Sequence, residues 1–160
     1  MFVEVELEDI IDTPLSESPF LVLKERSGNR CCTIHVGFME AHNIVNQCEG
    51  VHPPRPMTHD LILDMLEKAG ATMKAVHIVR EMEHTYFATV QIESNSGNIE
   101  RVDARPSDAI TLALKRHCPI YLKEDLFSKH SVRRRNDSGF EQILSPLLFK
   151  AQTRTKRKNR

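Results

Sequence analysis

The sequence predicts an α+β fold, a mixed or antiparallel β-sheet with packed helices. Three observations predict it. Several stretches alternate apolar and polar residues with period two, three others have helical spacing between start and stop residues, and two parts of the chain resemble each other. At 160 residues and 40% hydrophobic content the chain fits one domain with a modest extension and can bury a sizeable core.

The elements follow in order. "VEVELEDI" alternates, with Val3, Val5 and Leu7 on one face, and reads as a strand. "TPLSESP" is a turn cluster. "FLVLKE" and "CCTIHV" are strands around "RSGNR", a Gly-Asn hairpin signal. In "MEAHNIVNQCEG", Ala41, Ile44, Val45 and Cys48 follow helical spacing, and Gly50 is a C-terminal stop. "VHPPRPM" is a stiff loop, because its prolines exclude a ladder or a helix interior. Thr58 is expected to cap the next helix, with Asp60 in its first turn, Leu61, Ile62, Met65, Leu66 and Ala69 as its buried face, and Gly70 closing it. "MKAVHIVRE" and "TYFATVQIE" form a strand pair, and "SNSGN" turns the chain into "IERVDA". Pro106 suits the first position of a third helix, whose core face is Ile110, Leu112, Ala113 and Leu114. "PIYL" is a last short strand and "EDLFSKH" a helical turn.

"FLVLKERSGNRCCTIHVGFMEAHNIV" and "ATVQIESNSGNIERVDARPSDAITLAL" each read strand, Ser-Gly-Asn turn, strand, bend, then an acid-Ala pair opening a helix. Ser27-Gly28-Asn29 matches Ser96-Gly97-Asn98, and Glu40-Ala41 matches Asp108-Ala109, with a slip of one residue. This predicts two duplicated β-hairpin–helix units whose helix N-termini approach each other around a pseudo-twofold axis.

Domain organisation follows from charge. Residues 1–130 hold 13 Lys and Arg against 20 Asp and Glu, a net of −7, and residues 131–160 hold 9 against 2, a net of +7. The first part is read as the domain. The second is a basic C-terminal extension, with "SVRRRNDSG" as linker, "FEQILSPLLFK" as a short helix broken at Pro146, and a disordered end. The basic tail has two uses open to it, attraction of phosphates or solubilisation of an acidic body. No apolar run approaches the ~18–20 residues of a membrane span, and "MFVEVELEDI" lacks the regions of a signal peptide. The expected location is cytoplasmic. Cys31, Cys32, Cys48 and Cys118 show no metal-ligand spacing and are read as reduced, mostly buried thiols.

Three constellations carry chemistry. In "PRPMTHDL", prolines place Arg55, Thr58, His59 and Asp60 at a helix N-terminus, where backbone N–H groups favour an anion and histidine, whose ordinary pKa is near neutrality, suits proton transfer. In "DARPSDAITLAL", Asp103 ends a strand, Arg105 lies in the bend, and Ser107 and Asp108 open a helix. Arginine there suits a bidentate grip on phosphate or carboxylate. The acids Glu40, Asp60, Asp103 and Asp108 are the type that hold Mg or Mn ions in phosphodiester hydrolysis, although spacing alone does not gather them. The first two constellations also read as helix-start chemistry alone. His35, His42, His52, His77, His84, His117 and His130 form no ligand-like pair and are read as structural, His77 and His84 in strands.

"PRPMTHDL" and "DARPSDAITLAL" together, with "VGFMEAHNI", "EG" at Glu49-Gly50 and "CPIYL", resemble the bifunctional nuclease (BFN) domain family over roughly residues 1–130. The resemblance implies an oligomerising α+β domain that cleaves both DNA and RNA. It marks Glu40, Arg55, Thr58, His59, Asp60, Asp103, Arg105, Ser107 and Asp108 as motif residues. Two features depart from the family pattern. "CCTIHVG" replaces an apolar, Trp-containing strand, and the basic tail lies outside the match.

The leading expectation is a metal-assisted nuclease with low sequence specificity, acting on nucleic acid as a homo-oligomer without a membrane. His59, Asp60, Asp103 and Asp108 are the expected catalytic residues, Arg55, Thr58, Arg105 and Ser107 bind phosphate, and Asp103, Asp108 and Glu40 hold a Mg or Mn ion. The rival is a non-enzymatic, oligomeric domain that binds an anion or a regulatory partner.

Overall fold

A computed structural model describes residues 1–12 and 18–133. Strands β1 (Phe2–Ile11), β2 (Phe20–Glu25) and β3 (Arg30–His35) lead into helices α1 (Phe38–Cys48) and α2 (Thr58–Lys68). Strands β4 (Ala71–Met82), β5 (Thr85–Ser94) and β6 (Ile99–Ala104) lead into α3 (Pro106–Arg116), β7 (Ile120–Lys123), α4 (Glu124–His130) and β8 (Ser131–Arg133). The α+β class is as the patterning predicts. Residues 13–17 of the turn cluster and everything after residue 133, where a short helix and a disordered end are expected, lie outside the described residues.

One eight-stranded sheet runs β6-β5-β4-β7-β1-β2-β3-β8. About β7 the order sets β4, β5 and β6 against β1, β2 and β3, with β8 added beyond β3. β7 is antiparallel to β1 and parallel to β4, so β1 and β4 run in opposite directions. A twofold axis normal to the sheet requires that, and the internal similarity predicts such an axis. The parallel β4–β7 pair is joined by a crossover through β5, β6 and α3, the connection length that parallel strands need.

Alternation along the strands builds a single core. Val5 and Ile120, Leu21 and Ile34, Leu23 and Cys32, Val76 and Val90, and Ile78 and Leu122 face each other in register on one side of the sheet. Ala41 and Ile44 of α1, Ala109, Ile110 and Ala113 of α3, and Phe127 of α4 complete this cluster. The opposite side carries His77, stacked on Tyr121 at 5.1 Å and set edge-on to Phe2 at 5.0 Å. Burial lowers the His77 pKa, and the nearby Arg101 charge adds to the effect. Gly50 and Gly70 end α1 and α2 at φ of +65° and +72°, the left-handed conformation that suits glycine at a helix stop.

Four expectations are corrected. Residues 131–133 are not linker but β8, an edge strand paired with β3. His84 is not in a strand: it sits at φ +61° in the β4–β5 turn beside Glu83 at φ +48°. Cys48 is exposed at the end of α1, whereas Cys31 and Cys32 are buried. The largest correction is α2, which buries none of its residues: Leu61, Ile62 and Met65 are 53%, 37% and 62% exposed. Of its apolar residues, Leu66 and Leu63, the latter off the predicted face, are partly covered. The period was legible, but among the described residues this face lines an open cleft rather than a packed core.

Candidate functional site

The starts of α1, α2 and α3 meet. Gly37 caps α1 and Arg105 caps α3, each in extended backbone, so Glu40 and Asp108 occupy the same third helical position in the two units. Arg105 joins them. Its Nε and Nη2 donate to Asp108 Oδ2 and Oδ1 at 2.7 and 3.1 Å, and its Nη1 donates to Glu40 Oε1 at 2.8 Å. The bend that holds Arg105 is set by Pro106 behind it, which restricts the preceding residue to extended backbone.

α2 brings His59 to the same place. His59 Nε2 lies 3.1 Å from Asp108 Oδ1, and the His59 side chain is only 13% exposed. Asp60, beside it, accepts from the Met57 backbone N–H at 2.9 Å and from Lys115 Nζ at 2.7 Å. The cap of α2 is therefore Met57, with the Asp60 carboxylate satisfying its N–H, and not Thr58, which is the first helical residue.

Electrostatics follow from these contacts. Burial pushes the Asp108 carboxyl up, but hydrogen bonds from Arg105 and His59 outweigh it and hold the group below the ordinary carboxylate range. For Asp60 the Lys115 hydrogen bond is the largest influence; together with the Met57 N–H it holds that carboxyl low against burial. Asp108 is thus ionised near neutral pH. In the neutral ring, a proton shared with Asp108 sits on His59 Nε2 and leaves Nδ1 with a lone pair.

These groups stand at one end of a cleft of about 550 Å³ between α2 and the sheet. Ile62 and Leu66 form one wall, Val90, Ile92 and Val102 the other, and Thr58, His59, Glu40, Arg105 and Asp108 close the polar end. Arg105 is 64% exposed and so is accessible to an anion. Arg55 is exposed and, among the described residues, has no hydrogen bond or ion pair. Ser107 is 7% exposed, and its carbonyl accepts from Thr111.

Asp103 does not join the cluster. It borders the cleft, but in register it stands opposite Thr89, which stands opposite His77, so its side chain belongs to the other side of the sheet. The three residues expected to hold a metal therefore do not converge. Glu40 and Asp108 gather around the Arg105 guanidinium, Asp103 points away, and no group of three His, Cys, Asp or Glu among the described residues has metal-holding geometry. Lys115 is the functional neighbour that sequence reasoning missed, because nothing local marks a lysine in the last turn of α3 as the partner of Asp60.

No helix among the described residues is long and apolar enough to cross a membrane. The sequence model of the bifunctional nuclease domain matches residues 21–135. An uncharacterized protein of Mycobacterium tuberculosis is 40% identical over 111 residues, covering 69% of this chain and 65% of that protein. Bifunctional nuclease 2 of Oryza sativa subsp. japonica is 27% identical over 118 residues, 72% of this chain and 36% of that protein. Bifunctional nuclease 1 of Arabidopsis thaliana is 26% identical over a stretch of the same length. The match thus spans less than two thirds of each relative's own length.

Proposed function

This chain belongs to the bifunctional nuclease domain family, and from that premise we propose that it hydrolyses phosphodiester bonds of DNA and RNA with low sequence specificity. The observation that carries the reading is the His59–Asp108–Arg105–Glu40 relay at the polar end of the cleft. In this reading His59 Nδ1 takes the proton of the water whose oxygen bonds to phosphorus, and Asp108 orients the ring and stabilises the imidazolium that forms. The ester oxygen leaves as its P–O bond breaks and takes a proton from solvent. The two Arg105 N–H groups not spent on carboxylates meet the phosphate, and Arg55 and Thr58 add donors at the α2 start. The cleft walls present apolar side chains rather than hydrogen-bonding ones to a base, which suits low sequence preference. Asp60 has a supporting part, holding the first turn of α2 through Met57 and Lys115.

A Mg or Mn ion would supply water activation and charge neutralisation. Its expected ligands do not fit it as they stand, since Arg105 already occupies Glu40 and Asp108. Metal dependence therefore requires Arg105 to leave these carboxylates.

The test is cleavage of fluorescent single-stranded RNA and DNA by purified protein, with Mg²⁺, with Mn²⁺ and with chelator, beside His59→Ala purified identically. The expected result is cleavage that falls by ~10²–10⁴-fold in the variant while the fold melts cooperatively in both. Equal cleavage in both places the chemistry elsewhere, and no cleavage in either moves the reading to an anion- or partner-binding domain.

A further inference from the structure

We infer that two copies of this chain pair edge to edge through β6, antiparallel about a twofold axis at Val102. β6 ends the sheet, and every one of its residues except Ala104 is exposed. Ile99 and Val102 on it are 57% and 50% exposed. An open edge with apolar side chains is a template for another strand, and soluble proteins rarely leave one uncovered.

The charge pattern of β6 selects the occupant. Antiparallel self-pairing must keep each residue facing one on its own side of the sheet, which sets the axis on a residue rather than between two, and an axis at Glu100 sets glutamate against glutamate. An axis at Arg101 sets arginine against arginine, and one at Asp103 sets aspartate against aspartate. The axis at Val102 alone places Arg101 of each copy opposite Asp103 of the other, so two opposite-charge pairs form on one side of the sheet. On the other side Val102 meets its own counterpart, and the eight-stranded sheet continues into a second one. Such self-complementarity about a twofold axis is what an isologous interface requires.

The same pairing explains two features that the catalytic reading leaves over. Asp103, which takes no part in the His59 cluster, acquires a partner. The cleft borders this edge through Val102, so the pairing brings its exposed Met39 and Ile62 towards the second chain. This interface does not depend on nuclease activity.

The test uses the full chain at tens of micromolar, with mass in solution read by light scattering and sedimentation. Wild type is expected to be a dimer. Arg101→Asp and Asp103→Arg each set like charges against each other twice, and each is expected to weaken self-association at least tenfold. An equimolar mixture of the two variants is expected to recover a dimer holding one copy of each, because the altered side chains then meet with opposite sign. That recovery also shows that both variants are folded. Amide exchange gives an independent reading: β6 N–H groups of wild type are expected to be protected at high concentration and to lose protection on dilution. A wild-type monomer, including one whose β6 is covered by its own tail, overturns the inference. So does an oligomer that both variants leave intact, or a mixture that stays monomeric.

Discussion

His59 Nε2 stands 3.1 Å from Asp108 Oδ1, a contact across 49 residues that fixes the start of α2 against the start of α3. A second polar tie, Lys115 to Asp60 at 2.7 Å, joins the same two helices. Because α2 buries none of its residues, these two ties and the packing of Leu63 hold it in place. The helix that delivers the proposed base is thus the one least anchored by the core.

Lys115→Met should loosen α2 before anything else. The Lys115 side chain is 16% exposed and that of Asp60 33%, so the pair is partly shielded from water. Its loss is expected to cost about 1–2 kcal/mol of local stability. Hydrogen exchange should show α2 amides opening roughly 5- to 30-fold faster, with those of α3 little changed. Equal acceleration throughout the domain would mean that α2 is not a separate unit.

Acid should act through the same ties. Asp108 and Asp60 are held below the ordinary carboxylate range when folded, so the folded state binds fewer protons than the unfolded one as pH falls past the unfolded value near 3.8. Their contribution is present in full above that value and is lost as pH falls through the lowered folded values. Thermal melts from pH 6 downward should show stability declining with acid, and Asp108→Asn should flatten the decline. An unchanged slope in the variant would remove Asp108 as its source.

Thiol chemistry should separate the cysteines by burial. Cys48 is exposed, whereas Cys32 is fully buried and burial pushes its thiol up to about 12. A thiol reagent at neutral pH should label Cys48 first and Cys32 only on unfolding, since the thiolate is the reactive form. Mass spectrometry of partly labelled protein reads the order directly, and early labelling of Cys32 would contradict the packing of β3.

Much of this fold was legible because alternation and helical spacing record which side of an element is apolar. Val3, Val5 and Leu7 turn inward as that pattern says, and Gly50 and Gly70 stop helices where expected. What covers an apolar side is not written locally. Leu61, Ile62 and Met65 have the spacing of a buried face and remain open. The insertion of β7 between β1 and β4 is a long-range choice that no window of sequence shows. Within the site, Glu40, His59, Arg105 and Asp108 come together as the internal similarity and the motifs suggested. Strand parity could have set Asp103 apart, because it neighbours the inward Val102 and must face the other way. The Glu83–His84 turn was missed because it lacks the glycine or asparagine that usually marks backbone at positive φ.

Arg105 offers the sharpest chemical prediction. One guanidinium satisfies Glu40 and Asp108 together and balances their charge. Arg105→Ala leaves two carboxylates beside each other without a cation, a situation that favours ion capture or protonation. Because Arg105 is 64% exposed, its removal alone should lower the melting temperature by only a few degrees. Addition of Mn²⁺ or Mg²⁺ should then raise the variant's melting temperature in proportion to the logarithm of ion concentration, as ligand binding to a folded state demands. Wild type, with the arginine in place, should respond far less. If wild type responds as strongly as the variant, Arg105 yields its carboxylates to metal in the native protein; if neither responds, Glu40 and Asp108 do not hold an ion.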